Sequence, residues 1–111
     1  MKIAIIGLGR WGKNLLREYS KICLVPVCVT KSDRNKINWL KNNYPTVKHT
    51  NRFVDVLNNE NINAVAIATP IKTHFDLAFR ALRAGKHVFL EKPIATNSHD
   101  AKKLLELANY K

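Results

Sequence analysis

The chain has 111 residues, 46 % hydrophobic and 24 % charged, which suits one soluble domain with a single core and leaves little room for two. No apolar run approaches the ~18 residues of a membrane span. The start, Met1-Lys2-Ile3-Ala4-Ile5-Ile6-Gly7, is too short and lacks the cleavage site of a signal peptide, so a cytoplasmic protein with no membrane partner is expected. A formal net charge of +11 raises nucleic acid as a partner, but the basic residues are scattered and no aromatic-interleaved basic block occurs, which argues against specific nucleic-acid binding.

In chain order, Lys2 to Ile6 is predicted as a first strand and Gly9 to Tyr19 as a first helix, with Leu15, Leu16 and Tyr19 on its inner stripe. Leu24 to Val29 is a second strand, in which Pro26 suggests a weak or edge position. A polar helix follows from Asp33 to Asn42, then a brief strand from Val47 to Thr50 and a helix from Arg52 to Leu57. Ala64 to Ala68 is a continuous apolar run, as a buried parallel strand should be. His74 to Ala84 is a helix stopped by Gly85, and Lys86 to Leu90 a fifth strand. The last helix runs from Ser98 to Ala108, capped by Asn97 or Ser98, with Leu104, Leu105 and Ala108 facing in.

Strand alternating with helix implies parallel strands joined by right-handed crossovers. The expected fold is therefore α/β: a doubly wound, Rossmann-like parallel sheet in order 3-2-1-4-5, in three α/β/α layers and one domain spanning 1–111. The fifth strand is then an edge unless another strand follows the last helix. Cys23 and Cys28 lie in or beside one strand, too poorly placed for a disulfide, and their spacing matches no zinc pattern; buried free thiols in a reducing compartment are expected, and no metal.

In open parallel sheets ligands bind beyond the carboxyl ends of the strands, where strand order reverses. The unusual residues of this chain gather there. After the first strand stands Gly7-Leu8-Gly9-Arg10-Trp11-Gly12, a G-x-G-x-x-G that follows a strand and opens a helix. Its glycines permit a tight turn, close approach of backbone to a pyrophosphate, and close helix–sheet packing, while the helix N-terminus offers N–H groups to phosphate. A glycine-rich turn without ligand is the competing reading. After the second strand come Thr30, Lys31, Ser32, Asp33 and Arg34. Asp33 falls beyond the strand end, whereas the hydroxyls and positive charges of Thr30, Lys31, Ser32 and Arg34 suit a phosphate, which tips the cofactor slightly from NAD to NADP; a merely solvated basic loop is the alternative. After the fourth strand, Thr69-Pro70 forms a short loop able to run beside the ribose and pyrophosphate, and His74 is either part of that site or simply a helix-start residue. After the fifth come Glu91, Lys92 and Pro93; a lysine there could hydrogen-bond a substrate hydroxyl, with an exposed turn pair as the alternative.

Three stretches, Ile3 to Gly12, Ala64 to Pro70 with His74, and Ala81 to Ala95 with its Gly85-Lys86-His87-Val88-Phe89-Leu90-Glu91-Lys92-Pro93, together resemble the N-terminal domain of the Gfo/Idh/MocA (glucose–fructose oxidoreductase/inositol dehydrogenase) family. The resemblance covers essentially the whole chain, and the last stretch is its most specific part. It implies a dehydrogenase of sugars, cyclitols or related hydroxyl compounds, in which Lys92 contacts the substrate oxygen and assists proton movement. It implies also that the glycine loop with Arg10 and Trp11 holds the pyrophosphate, that Thr69 and Pro70 flank the cofactor, and that Glu91 and Pro93 shape the nicotinamide pocket. Two departures matter. Many relatives carry an acidic residue at the end of the second strand, where this chain has Val29 or Thr30. The family's C-terminal substrate domain, which the resemblance implies for most substrate contacts, the partner acid/base residue and the oligomer interface, is expected to lie outside these 111 residues. A small polyol-like substrate is thus expected only with a second domain, with a homo-oligomer or partner subunit as the corresponding assembly. Enzymatic activity of the chain alone stays open at this point. The alternatives are a stand-alone NAD(P)-binding or sensing module without catalysis, and a basic protein that has lost the cofactor and touches nucleic acid.

Overall fold

The computed structural model of the chain describes residues 1–31, 33–90 and 98–110. Five strands, β1 (Lys2–Ile6), β2 (Leu24–Val29), β3 (Lys48–Thr50), β4 (Ala64–Ile67) and β5 (His87–Leu90), form one parallel sheet in the order β3-β2-β1-β4-β5. They alternate with α1 (Arg10–Ser20), α2 (Arg34–Asn43), α3 (Phe53–Leu57), α4 (His74–Arg83) and α5 (Ser98–Tyr110). No helix among the described residues is long and apolar enough to cross a membrane.

The period of two along a strand divides the core into two slabs. Ile3 and Ile5 of β1 face one way with Leu8, Leu16 of α1 and Leu40 of α2; Ala4 and Ile6 face the other way with Val56 of α3, Ala78 and Ala81 of α4, and Leu104 of α5. Every residue of β4 is buried, because this strand has neighbours on both edges and helices on both faces. A turn of 3-10 helix at Ile71–Thr73, absent from the sequence expectation, carries the chain from β4 into α4.

Helix ends are made locally. Asp33 caps α2, its carboxylate accepting from the backbone N–H groups of Asn35 and Lys36. Gly85 takes a φ of +80° beyond α4, and the N–H groups of Gly85 and Lys86 donate to the carbonyls of Leu82 and Ala81. That is the Schellman closure, open to glycine at low conformational cost.

Three expectations are corrected. Pro26 does not place β2 at an edge: β2 lies between β1 and β3. Pairing passes from Lys2↔Leu24 to Ala4↔Val27, so β2 has an extra residue here, and pairing with β3 starts only at Val27. The residue without an N–H sits where the ladder is already interrupted. On α5 the inner stripe is Leu104 with half-buried Leu107; Leu105 and Ala108 are exposed, turned toward the open flank of β5. Finally, Cys28 is buried but Cys23, just before β2, is only half-buried; both are free thiols.

Candidate functional site

The sheet reverses order beside β1, and three loops meet there around Gly7. Its φ of +98° demands glycine, and its N–H donates to the carbonyl of Val29 at the end of β2. A Cβ on Gly7 would stand 3.1 Å from the carbonyl oxygen of Ala68 and from the Thr69 methyl, just past β4. The glycine turn is thus wedged between the ends of its two neighbouring strands.

The other two glycines serve different ends. A Cβ on Gly12 would overlap the Gly7 carbonyl, so α1 can lie this close to its own turn only with glycine there. A Cβ on Gly9 would meet nothing within 4 Å. Space is left open at Gly9, the N-cap of α1, where no side chain caps the helix and no acid occupies its first turn. The first N–H groups of an α-helix have no partner within it. An uncapped, uncrowded N-terminus of an 11-residue helix at the sheet's switch point is a cradle shaped for an anion. Arg10 and Trp11 stand exposed at its mouth, and the Lys13 ammonium lies 4.7 Å from the centre of the Trp39 ring.

On the β2 side, Thr30 is buried and Lys31 and Arg34 are exposed; Ser32 lies outside the described residues. Asp33 is occupied with its helix cap. On the β4 side a hydroxyl relay stiffens the loop: Thr69 Oγ1 donates to Thr73 Oγ1 at 2.6 Å, which donates to the Pro70 carbonyl at 2.7 Å. Pro70 itself is exposed. His74 is buried beneath this loop, its Nε2 2.9 Å from the Thr69 carbonyl, so the ring holds the loop from behind. Glu91, Lys92 and Pro93 lie outside the described residues. Thr73 and His49 were not singled out by the sequence. Thr73 could have been noticed as a second hydroxyl four residues from Thr69; nothing local marks His49.

Among the hollows that the described residues form elsewhere, one of about 540 Å³ runs along β5 between α4 and α5 and one of about 610 Å³ lies at the amino ends of β4 and β5. Neither touches the glycine turn. Among the described residues no group of His, Cys, Asp and Glu could hold a metal ion.

Compared with known proteins, the whole chain, residues 1–111, matches the model of the Gfo/Idh/MocA family, described as an oxidoreductase family with an NAD-binding Rossmann fold. The chain belongs to this family. Gfo/Idh/MocA relatives include oxidoreductase P35 of Formosa agariphila, 38 % identical over 80 residues, which covers 72 % of this chain and 25 % of the relative. Inositol 2-dehydrogenase of Salmonella typhimurium is 31 % identical over 110 residues, covering 96 % of this chain and 32 % of the enzyme. Among solved structures, apo scyllo-inositol dehydrogenase from Lactobacillus casei superimposes with a TM-score of 0.86 at 27 % identity, over 99 % of this chain and 33 % of that one. An NAD-binding protein from Listeria innocua gives 0.87 at 30 % identity, over 98 % and 32 %. The chain thus spans about a third or less of the length of these relatives. It is a nicotinamide-dinucleotide-binding domain of this oxidoreductase family, and the cradle at Gly9 fits the pyrophosphate of such a cofactor.

Proposed function

We propose that the chain is the cofactor half of a dehydrogenase that acts on a polyol, such as a sugar or cyclitol, in the cytoplasm. The observation that carries this is the convergence at Gly7: an uncapped helix N-terminus, a glycine whose missing side chain leaves open space, and the ends of β2 and β4 drawn to one point. The inositol dehydrogenases among its relatives support the substrate class.

The site would hold a nicotinamide dinucleotide, whose chemistry would be hydride transfer to or from the carbon that carries the substrate oxygen. The chain's own residues bind and orient. Gly7, Gly9 and Gly12 shape the turn, the N–H groups at the start of α1 and the Arg10 side chain would hold the pyrophosphate, and Trp11 would border it. Thr69 and Pro70 flank the cofactor, held by Thr73 and by His74 behind them. In the same reading Lys92 hydrogen-bonds the substrate hydroxyl and takes up or returns its proton, and Glu91 and Pro93 shape the pocket around it. A second domain supplies the remaining substrate contacts and the assembly interface.

Cofactor choice follows from charge. Asp33 is committed to α2, whereas Lys31 and Arg34 are exposed cations beside the end of β2. Lys31 and Arg34 therefore favour a 2′-phosphate, with the hydroxyls of Thr30 and Ser32 read from the sequence as neighbours, and the cofactor is NADP rather than NAD. Calorimetric titration of the chain with NADPH and then NADH, at low and moderate salt, checks both levels. Binding of both with NADPH tighter is expected, the gap narrowing as salt rises; binding of neither would overturn the reading.

A further inference from the structure

We infer that His49 is a positioning residue for cofactor choice: by engaging the Thr30 carbonyl it takes up one lone pair of a backbone acceptor at the end of β2 and so favours a ribose 2′-phosphate over a 2′-hydroxyl. The inference rests on the dinucleotide site proposed above and names what regulates its specificity.

A free ribose hydroxyl is recognised by an acceptor at the end of β2, while a phosphate, itself rich in acceptors, is repelled by one and held by cations. Among the described residues of this segment, the acceptors of Val29, Thr30, Lys31 and Asp33 are engaged within the protein. The Val29 carbonyl receives the Gly7 N–H at 2.7 Å, the Lys31 carbonyl the Asp33 N–H at 2.6 Å, and the Asp33 carbonyl the Ile37 N–H at 3.0 Å. The Asp33 carboxylate receives the N–H groups of Asn35 and Lys36 at 2.9 and 3.3 Å. The Thr30 carbonyl is engaged by His49 Nε2 at 3.2 Å, which requires the tautomer with its proton on Nε2. Among the described residues of the segment, the cations Lys31 and Arg34 are exposed.

Of these acceptors only the Thr30 carbonyl is satisfied by a side chain, and that side chain comes from another element. His49 lies on β3 in register with Cys28 of β2, and the neighbouring Thr50 carbonyl accepts the Thr30 N–H at 3.0 Å. β3 therefore clamps both backbone groups of the first residue beyond β2. Removing the imidazole would leave the Thr30 carbonyl without this donor, one residue from the strand end that carries the glycine turn.

The test is the ratio of Kd values for NADPH and NADH, measured by calorimetry on the wild-type chain, His49→Leu and His49→Gln, with thermal melting of each. His49→Leu removes the donor; His49→Gln keeps an N–H at similar reach. Preference for NADPH is expected to fall about five- to tenfold in His49→Leu and to return to within about twofold of wild type in His49→Gln. An unchanged ratio in His49→Leu, a uniform weakening of both cofactors, an equal shift in both variants, or a wild-type preference for NADH would each overturn the inference while leaving the dinucleotide site intact. A wild-type chain that binds neither cofactor would overturn the site itself, and this inference with it.

Discussion

Gly7, Gly9 and Gly12 are one motif in the sequence and three different requirements in space. Gly7 answers to a backbone dihedral and Gly12 to a carbonyl in its way; Gly9 meets no obstacle within the protein at all. Their substitutions should therefore separate folding from binding. Gly12→Ala is expected to damage the fold, seen as a loss of several degrees in Tm or of soluble protein, since backbone must move to admit the methyl group. Gly9→Ala is expected to cost less than about 1 kcal/mol of stability yet weaken NAD(P)H binding by about tenfold or more, because the methyl group fills the space through which a pyrophosphate approaches. A Gly9→Ala chain that binds as well as wild type would show that the cofactor does not sit in the cradle at Gly9.

Cys28 makes the contrast of a residue whose environment disarms it. Burial pushes its thiol from the ordinary 9.0 up to about 12. At any pH below 9 it holds about a thousandfold less thiolate than an ordinary thiol, so alkylation of the native chain should label half-buried Cys23 and spare Cys28 until the protein unfolds. The sign for stability is also set. A pKa raised in the folded state means the contribution is whole below pH 9 and is lost as pH rises toward 12, because the unfolded thiol ionises first. Replacing Cys28 with Ala should flatten that part of the alkaline stability curve, and mass spectrometry after labelling checks the first half.

Among the elements, α5 shows how far periodicity reaches. The pattern placed Leu104, Leu105 and Ala108 inward, but α5 packs chiefly on α4, and its buried stripe is narrow and centred on Leu104. Leu104→Ala should cost about 2–5 kcal/mol and Leu105→Ala about nothing, with denaturant midpoints as the measure. Equal effects would mean the helix is rotated from the position described. Lys86 is the opposite case, a charged residue drawn into the interior at the start of β5. Its backbone closes α4 and its ammonium donates to the carbonyls of Asn59 and Ile62, both at 2.7 Å, so one residue joins α4, the turn after α3 and the sheet. A lysine after Gly85 gives no local sign of this, because its partners lie 24 and 27 residues away.

At the scale of the molecule, the radius of gyration is 13.4 Å, close to the ~13 Å expected of a compact chain of this length. The packing is not closed all round. β5 is an outer strand, Phe89 on it is 41 % exposed with its ring against Tyr19, and the hollow of about 540 Å³ runs along its other flank past Leu105 and Ala108. An outer strand with apolar ground on both faces invites pairing. The isolated chain should self-associate with rising concentration despite its net charge of +11, and more so as salt screens that charge. Sedimentation velocity across a concentration and salt series checks this; a monodisperse monomer throughout would show the edge to be harmless.

The amino-acid sequence by itself determined the strand–helix alternation, the order of the sheet, the glycine turn at its switch point and the family, because each is written in short-range pattern: period two or period 3.6, a φ that only glycine tolerates easily, and a crossover of fixed hand. Only the tertiary structure decided that Pro26 sits at a bulge inside the sheet, that Asp33 is spent on a helix cap, that His74 lies behind its loop, and that His49 reaches the carbonyl of Thr30. Those facts depend on which groups meet across strands far apart in the chain. A backbone carbonyl or a buried side chain takes whichever partner the fold brings within about 3 Å, and no local pattern records the choice.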